Sequence, residues 1–264
     1  MLELKNIYKT FNPGTINEKV ALNGLNLTLN EGDFVTVIGG NGAGKSTMLN
    51  AVAGTWQIDE GQIIIDGIDV TKLSEHKRAA YLGRVFQDPM TGTAATMGIE
   101  ENLALAKRRG KTRLLKPGIT KKEREEYKEL LKVLGLGLEN RLTSKVGLLS
   151  GGQRQALTLL MATVVTPKIL LLDEHTAALA PATAEKVLNL TKRIVAENKI
   201  TCLMITHNMQ SALDLGNRTL MMNSGEIVLD VKEEERKGLT VADLLEKFKE
   251  GVGAQLDNDR ILLS

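Results

Sequence analysis

The stretch GGNGAGKST, residues 39–47, matches the pattern G-x-x-x-x-G-K-[ST] at Gly39, Gly44, Lys45 and Ser46. Glycines let successive backbone N–H groups point at one phosphate, the lysine supplies a cation, and the serine offers a hydroxyl to Mg²⁺. The apolar segment DFVTVIG precedes the stretch and a helical pattern follows it. Strand, glycine-rich turn and helix together start a βα unit. The stretch therefore predicts a nucleotide-phosphate site, and its neighbours argue against an accidental glycine-rich turn.

Outside this turn, β-like and helical patterns alternate along the chain. Short β-like pieces fill residues 1–38, and GQIIIDGIDV, residues 61–70, reads as β again. The buried-strand candidates KILLLDE and ITCLMITH follow, separated by one helical segment. This order predicts an α/β fold with a parallel-sheet core that carries a helical subdomain. We place the core at residues 1–88 and 166–264 and the helical subdomain at residues 89–165, with candidate helices at 96–109, 121–135 and 150–165.

Two further elements are predicted near the end of the chain. Residues 218–231 read as a β-hairpin that turns at Asn223-Ser224-Gly225. The segment TVADLLEKFKE reads as a final helix, with Thr240 or its neighbour as the N-cap.

Composition and charge exclude several classes of protein. The 34 basic and 32 acidic side chains nearly cancel, so no excess of positive charge marks a nucleic-acid binder, and we expect no nucleic-acid partner. Cys202 is the only cysteine, which removes a disulfide framework and favours a reducing cytosol. The mixed, charged N-terminus does not read as a signal peptide, and no apolar run reaches the ~18 residues that span a bilayer. Any membrane connection is therefore expected through a partner.

An acidic pair ends the segment KILLLDE, at the carboxyl end of a predicted parallel strand, where open α/β sheets bind ligands. Asp173 would hold Mg²⁺ through water, and Glu174 would polarise an attacking water. A plain strand end is the alternative, and the phosphate loop in the same chain disfavours it.

The segment LLSGGQRQAL, residues 148–157, places Ser150 and two glycines at a helix start. This is a second anion-binding helix N-terminus in a chain that already has one. One phosphate chain does not need two such sites on one subunit. We therefore expect the second to serve a nucleotide held by another subunit.

These residues resemble the nucleotide-binding subunits of ATP-binding cassette (ABC) transporters over roughly residues 1–230, and Leu149-Ser150-Gly151-Gly152-Gln153 matches the family's signature sequence. The resemblance implies a single ABC ATPase domain over residues 1–264. Its fold is a P-loop (RecA-like), mostly parallel core with an N-terminal antiparallel β subdomain and an inserted α-helical subdomain that bears the signature. It also implies ATP and Mg²⁺ as cofactors. The ATP contacts implied are Phe11, Gly39, Asn41, Gly42, Ala43, Gly44, Lys45, Ser46, Thr47, Ser150, Gly151, Gly152 and Gln153.

The remaining roles follow from the same resemblance. Phe11 falls where the family stacks an aromatic ring on adenine, with Tyr8 as a substitute and simple packing at a strand end as the alternative. The implied catalytic residues are Glu174, His207 at the γ-phosphate, and Gln87, which contacts Mg²⁺ and the attacking water. The implied Mg²⁺ ligands are Ser46, Gln87 and Asp173. His76 and His175 match no such role.

The resemblance also implies partners. A second copy of the chain would pair head to tail, so that Ser150 and Gly152 contact the partner's γ-phosphate. Separate transmembrane permease subunits and an extracytoplasmic substrate-binding protein would complete an importer, with this chain peripheral on the inner face of the cell membrane. The wording DEHTAAL, residues 173–179, resembles a poorly characterised bacterial importer branch, part of which is linked to amino-acid uptake.

The chain departs from the family at Ala180, where the D-loop commonly carries an aspartate that reaches across the dimer. We therefore expect slowed or poorly coupled hydrolysis. Two alternatives stay open: a soluble ABC ATPase that does not act in transport, and an ATP-dependent dimerisation switch with little turnover. Residues 107–132 carry eleven Lys or Arg against four Glu, typical of either a solvated helix and loop or a contact with anionic lipid or a permease.

Overall fold

A computed structural model describes residues 1–111 and 118–252. The chain divides into two compact units: Met1–Arg78 together with the chain from Ile200 onward, and Ala79–Lys199. The first unit therefore holds the phosphate loop, and the second holds the predicted helical subdomain, whose limits of 89–165 stay a prediction. Part of the basic segment, residues 112–117, and the tail at 253–264 lie outside the described residues.

The N-terminal part of the first unit is built around an antiparallel sheet. Its four strands lie in the order β2-β1-β4-β5, and all three pairings are antiparallel. The alternating buried and exposed side chains of β2 are typical of a sheet with one buried face. The elements are β1 (Leu2–Phe11), β2 (Lys19–Leu29), β3 (Phe34–Ile38), α1 (Lys45–Ala53), β4 (Glu60–Ile65), β5 (Ile68–Asp69) and α2 (Glu75–Arg78).

The second unit combines a parallel strand pair with helices. β6 and β7 pair in parallel, and a separate apolar cluster centred on Tyr127, Leu131 and Leu157 joins the helices. The three candidate helices are present but shorter than predicted: α3 and α5 begin later, after caps at Gly98 and Ser150, whereas α4 begins at the predicted residue after its cap Thr120 and ends earlier. The elements are β6 (Leu82–Val85), α3 (Ile99–Lys107), α4 (Lys121–Lys132), α5 (Gly151–Thr163), β7 (Ile169–Asp173) and α6 (Pro181–Glu197).

The C-terminal part of the first unit forms a second sheet together with β3. β3 pairs in parallel with both β8 and β9, so the strand that leads into the phosphate loop is central and fully buried. The predicted hairpin is β9 and β10, and the predicted final helix begins after Thr240, whose hydroxyl accepts from Asp243 N. The elements are β8 (Thr201–Ile205), α7 (Met209–Asp214), β9 (Arg218–Asn223), β10 (Glu226–Lys232), α8 (Glu233–Arg236) and α9 (Val241–Val252).

The predicted α/β class is confirmed, and β6 is the strand that the sequence pattern missed. Its sequence, LGRV, places a glycine and an arginine at the centre of the strand, which is not a typical strand composition. A Cβ on Gly83 would lie 2.6 Å from the carbonyl oxygen of Ala162, so the close approach of the two backbones requires the glycine.

Candidate functional site

The phosphate loop lies between β3 and α1, and its shape depends on glycine. Gly39 has φ +147° and Gly44 has φ +100°. A Cβ at Gly39 would lie 2.2 Å from the carbonyl oxygen of Met222, and one at Gly44 would lie 2.5 Å from that of Ala21. Neither position therefore accepts a side chain. The loop is fixed in a conformation that leads directly into the N-terminus of α1, the end of a helix whose backbone N–H groups bind anions.

Lys45 is buried although it begins a helix next to a turn. Its Nζ donates to the carbonyl oxygens of Gly39 at 2.8 Å and Gly40 at 3.0 Å. The ammonium group is therefore held across the loop, where a phosphate chain cradled by that loop would be within its reach. Ser46 is exposed in the first turn of α1, so its hydroxyl is accessible to a cation.

Phe11 ends β1 and packs against the only tryptophan of the chain. The rings of Phe11 and Trp56 meet edge to face with centroids 4.9 Å apart, and Lys9 Nζ lies 5.6 Å from the Phe11 centroid. Sequence reasoning missed Trp56, although a single tryptophan just after the helix of the phosphate loop was a usable signal. Tyr8 is placed differently, with its hydroxyl against Gly24 on the neighbouring strand.

His207 follows β8 in the first unit and is exposed. The next residue, Asn208, caps α7 by accepting from Ser211 N at 2.7 Å, and its own N–H donates to Thr206 Oγ1 at 3.1 Å. The position of His207 is therefore set by a capped helix start on one side and a buried strand on the other.

In the second unit, Gln87 lies two residues after β6 and is exposed. The loop that carries it is joined to α5, because Gln155 Nε2 donates to the carbonyl oxygen of Phe86 at 3.2 Å. A turn follows, in which Asp88 Oδ1 accepts from Met90 N at 2.8 Å. These bonds fix the loop on both sides of Gln87.

The predicted signature residues form the start of α5. Ser150 and Gln153 cap the helix reciprocally: Gln153 N donates to Ser150 Oγ at 3.3 Å, and Ser150 N donates to Gln153 Oε1 at 3.2 Å. Gly151 and Gly152 occupy the first turn, and a Cβ on Gly152 would lie 2.2 Å from Thr183 Cγ2 of α6. The glycine is therefore required by helix packing as well as by any close approach of a ligand.

The acidic pair lies at the carboxyl end of β7, as predicted. Asp173 is partly buried, and its Oδ2 lies 3.9 Å from Arg84 Nη2 on β6. Glu174 has φ +44°, a left-handed conformation that non-glycine residues adopt rarely and often at functional sites. The turn that produces it is closed by Ala177 N, which donates to the Glu174 carbonyl oxygen at 2.9 Å.

His175 and Ala180 lie on either side of the turn after Glu174. The His175 ring is 1% exposed, and its Nε2 is 3.0 Å from Thr191 Oγ1. Burial lowers the pKa of His175 to about 4, so the ring is neutral at neutral pH. Ala180 is exposed and is the N-cap of α6 with no side-chain cap.

Three half-buried to buried arginines bind the C-terminal carbonyl groups of the helices that start at the site residues. Arg78 donates to Ala51 and Val52 of α1, Arg109 to Ala162 and Val165 at the end of α5, and Arg236 to four carbonyls at the end of α7. Burial lowers the pKa of each of these guanidinium groups. Sequence patterns did not single them out for this role.

The described part of the basic segment is largely paired within the second unit. Lys107 pairs with Glu126, Arg108 with Glu123 at 3.2 Å, and Arg124 with Glu100 at 2.6 Å. This pairing favours the interpretation as a solvated helix and loop over a lipid contact. Among residues 1–111 and 118–252, no helix is long and apolar enough to cross a membrane.

Three comparisons place this geometry among known proteins. Residues 22–177 match the family model described as ABC transporter. A tyrosine transport ATP-binding protein of Clostridioides difficile is 46% identical over 257 residues, which cover 96% of this chain and 100% of the relative. A phosphonates import ATP-binding protein of Treponema denticola is 34% identical over 239 residues, covering 87% of this chain and 89% of the relative.

The solved structures agree with the sequences. An ATP-binding cassette in a dimeric post-hydrolysis state with ADP and Pi has a TM-score of 0.75 at 31% identity, covering 88% of this chain and 99% of that chain. The family match covers more than half of the chain, and it includes the phosphate loop, the signature and the acidic pair. The chain therefore belongs to the ABC transporter family, as an ATP-binding subunit that hydrolyses ATP.

Proposed function

We propose that this subunit powers a bacterial importer through ATP-driven, head-to-tail pairing of two copies. The observation that carries the proposal is that one chain has two helix starts built for anions and a single phosphate loop. α1 follows the glycines of that loop, and α5 begins with Ser150, Gly151 and Gly152. Pairing gives the second helix start a phosphate to bind, namely the γ-phosphate held by the other copy.

The phosphate loop supplies the ATP site of each copy. Gly39, Gly42 and Gly44 all have positive φ values, and a Cβ at Gly39 or Gly44 would clash with neighbouring backbone. This glycine-dependent geometry fits a loop that binds a phosphate group. Lys45 would exchange its loop carbonyls for phosphate oxygens. Asn41, Ala43 and Thr47 complete the contacts of the loop, and Phe11, supported by Trp56, would stack on adenine.

Mg²⁺ fits the oxygen donors that the chain offers. Ser46 presents an exposed hydroxyl, Asp173 a carboxylate and Gln87 an amide oxygen. Mg²⁺ is usually held by one or two carboxylates together with substrate phosphates, so a large acidic cluster is not needed. The ion would neutralise charge on the phosphates when ATP is bound.

Hydrolysis in this proposal depends on three further side chains. Glu174 would accept hydrogen bonds from the attacking water and orient it, Gln87 would contact the same water, and His207 would contact the γ-phosphate. Gln153 would fix the start of α5 through its reciprocal bonds with Ser150. Ala180 removes a carboxylate from the dimer contact, so we expect the two copies to hydrolyse ATP slowly or with poor coupling.

The transported solute is proposed from similarity. The relative at 46% identity bears the name of a tyrosine transport protein, and amino acids are therefore the solute class to test first. The importer would also need separate permease subunits in the membrane and an extracytoplasmic binding protein, with this subunit on the inner face. Deleting the gene should lower uptake of labelled tyrosine, and restoring it should recover uptake. Unchanged uptake of tyrosine and other amino acids would show that amino acids are not the transported solute.

Binding and turnover are tested on the purified chain. Lys45→Ala should abolish binding of a fluorescent ATP analogue, whereas Glu174→Gln should keep binding and lose phosphate release. Lys77→Ala, an exposed lysine of α2 in the same unit, is the matched control and should behave as wild type. If Lys45→Ala binds the analogue normally, the assigned phosphate site is wrong.

The same preparation separates the alternatives. An importer subunit should co-purify with permease subunits from membranes, and a soluble ABC ATPase should not. A dimerisation switch should bind ATP without releasing phosphate in a single turnover.

A further inference from the structure

The turn after the acidic pair connects β7 to α6, and a side chain within the turn also contacts α6. β7 leads into it, α6 continues from it, and between them the His175 ring is inserted into the interior, 1% exposed. Its Nε2 lies 3.0 Å from Thr191 Oγ1, a residue eleven positions into α6. The residue next to Glu174 is therefore fixed to a helix rather than to the turn alone.

The direction of the hydrogen bonds is determined by Thr191. Its hydroxyl donates to the Val187 carbonyl oxygen at 2.9 Å, so the same oxygen is left to accept from His175. The ring must then carry its proton on Nε2. Its Nδ1 has no hydrogen-bond partner among the described residues.

The hydrogen bond between His175 and Thr191 bears on the conformation of Glu174, the residue before His175. Glu174 has φ +44°, a backbone conformation that persists only where its surroundings impose it. The bond between Ala177 N and the Glu174 carbonyl closes the turn, and the His175 ring fixes the turn against α6. We therefore expect loss of the bond to Thr191 to weaken the attachment of the turn to α6 and to disturb the direction of the Glu174 carboxylate.

We propose that His175 is a positioning residue for hydrolysis, which aligns Glu174 through its hydrogen bond to Thr191. The inference rests on the proposed role of Glu174 in orienting water. It assigns a contribution to hydrolysis to a histidine whose ring is buried, with 1% of the residue exposed.

Thr191→Val tests the inference, because it removes the hydroxyl while keeping the shape of the side chain. We expect kcat for ATP hydrolysis to fall by roughly ten- to a hundredfold, the range that misplaced catalytic groups cause. KM for ATP and the affinity for a fluorescent ATP analogue should not change. Thr191→Ser retains the hydroxyl and should restore kcat.

The matched control is Thr163→Val on α5. Thr163 Oγ1 also donates to carbonyls of its own helix, at 2.8 Å to Leu159 and 3.3 Å to Leu160, and among the described residues it has no hydrogen bond to a histidine. This variant should keep wild-type kcat. In ¹⁵N-histidine spectra, the wild type should show a neutral ring protonated at Nε2 with a slowly exchanging proton. Thr191→Val should lose that protection.

The outcomes distinguish this inference from the function on which it rests. If Glu174→Gln abolishes turnover and folded Thr191→Val turns over as fast as wild type, the positioning inference is overturned and the proposed function stands. If Glu174→Gln turns over normally, the role of Glu174 is wrong and the inference falls with it. A ring protonated at Nδ1 also contradicts the inference.

Discussion

At the scale of single residues, Ala180 has two consequences that a substitution can separate. It stands where the family resemblance implies a carboxylate at the dimer contact, and it also leaves the N-terminus of α6 without a side-chain cap. The backbone of Ala180 already has an extended conformation, with φ −60° and ψ 145°, which suits a capping residue. A side chain introduced here can therefore accept from the first turn of α6 without rearrangement.

We expect Ala180→Asp and Ala180→Ser both to raise the free energy of unfolding, by about 1 kcal/mol, because both supply a cap. Only Ala180→Asp should raise the ATPase rate of the assembled transporter, and ATP affinity should change little. Urea unfolding and phosphate release measure the two effects. Equal ATPase rates for wild type and Ala180→Asp would end the hypothesis of impaired hydrolysis, whatever the stability.

Arg78 gives a prediction about stability alone. Its guanidinium is 1% exposed and donates to the carbonyl oxygens of Leu73, Ala51, Val52 and Thr71. Arg78→Met leaves these acceptors without their donors in the interior, so the free energy of unfolding should fall by about 3 kcal/mol or more.

The control is Arg141→Met, at an exposed arginine, which should change stability by no more than about 0.5 kcal/mol. Urea denaturation followed by circular dichroism measures both. Equal unfolding midpoints for the two variants would mean that the buried contacts contribute little.

The residues that sequence patterns identified differ in kind from those that they missed. The phosphate loop and the acidic pair are contiguous in sequence, so their chemistry can be read directly. Trp56 acts through Phe11, forty-five positions away, and Arg78 acts through carbonyl groups that any residue provides. Such partners leave no pattern in a single sequence. The pairing of His175 with Thr191 was not visible either, because the two residues are sixteen positions apart and α6 brings them together.

At the scale of secondary-structure elements, the contact between the start of α5 and α6 depends on one missing methyl group. Gly152→Ala places a Cβ 2.2 Å from Thr183 Cγ2, so one helix must move or Thr183 must change rotamer. We expect a loss of about 1–3 kcal/mol in the free energy of unfolding, as for other overpacked sites.

Adding Thr183→Ala to Gly152→Ala should recover most of that stability, which a double-mutant cycle of unfolding free energies measures. Hydrolysis should stay impaired in the double variant, because a residue with a Cβ restricts the backbone at the start of α5, which is proposed to meet the γ-phosphate. Full recovery of both properties would mean that Gly152 serves helix packing alone.

The helices with strong periodicity were predicted, but of their ends only the start of α4 was placed correctly. α3, α4 and α5 were recognised from their apolar spacing, but each is shorter than predicted. Caps decide where a helix starts, and a glycine such as Gly98 caps α3 through its backbone and the Glu101 carboxylate. β6 was missed because its glycine, Gly83, is required by the close approach of the backbone of α5 at Ala162, seventy-nine residues later in the sequence.

At the scale of the whole molecule, the proposed pairing of two copies gives the broadest prediction. Glu174→Gln should bind ATP without hydrolysing it, so ATP should convert the monomer into a dimer that light scattering detects. Ser150→Arg in the same background should keep ATP binding and prevent the dimer, because a bulky side chain replaces the hydroxyl that is proposed to contact the partner's γ-phosphate. A monomer at saturating ATP for Glu174→Gln would contradict head-to-tail pairing in the isolated subunit.

The three arginines at the helix C-termini affect how the protein meets its ligand in salt. Surface charges lose most of their attraction for a polyanion within about 10 Å at 0.1 M ionic strength, whereas buried charges are screened much less. Arg78 is buried, and Arg109 and Arg236 are half-buried, each at the negative end of a helix whose positive end lies at a proposed phosphate contact. Their attraction for ATP should therefore persist at ionic strengths that screen the charges of surface lysines. A chain with almost no net charge then needs no excess of positive surface charge to attract a highly charged substrate.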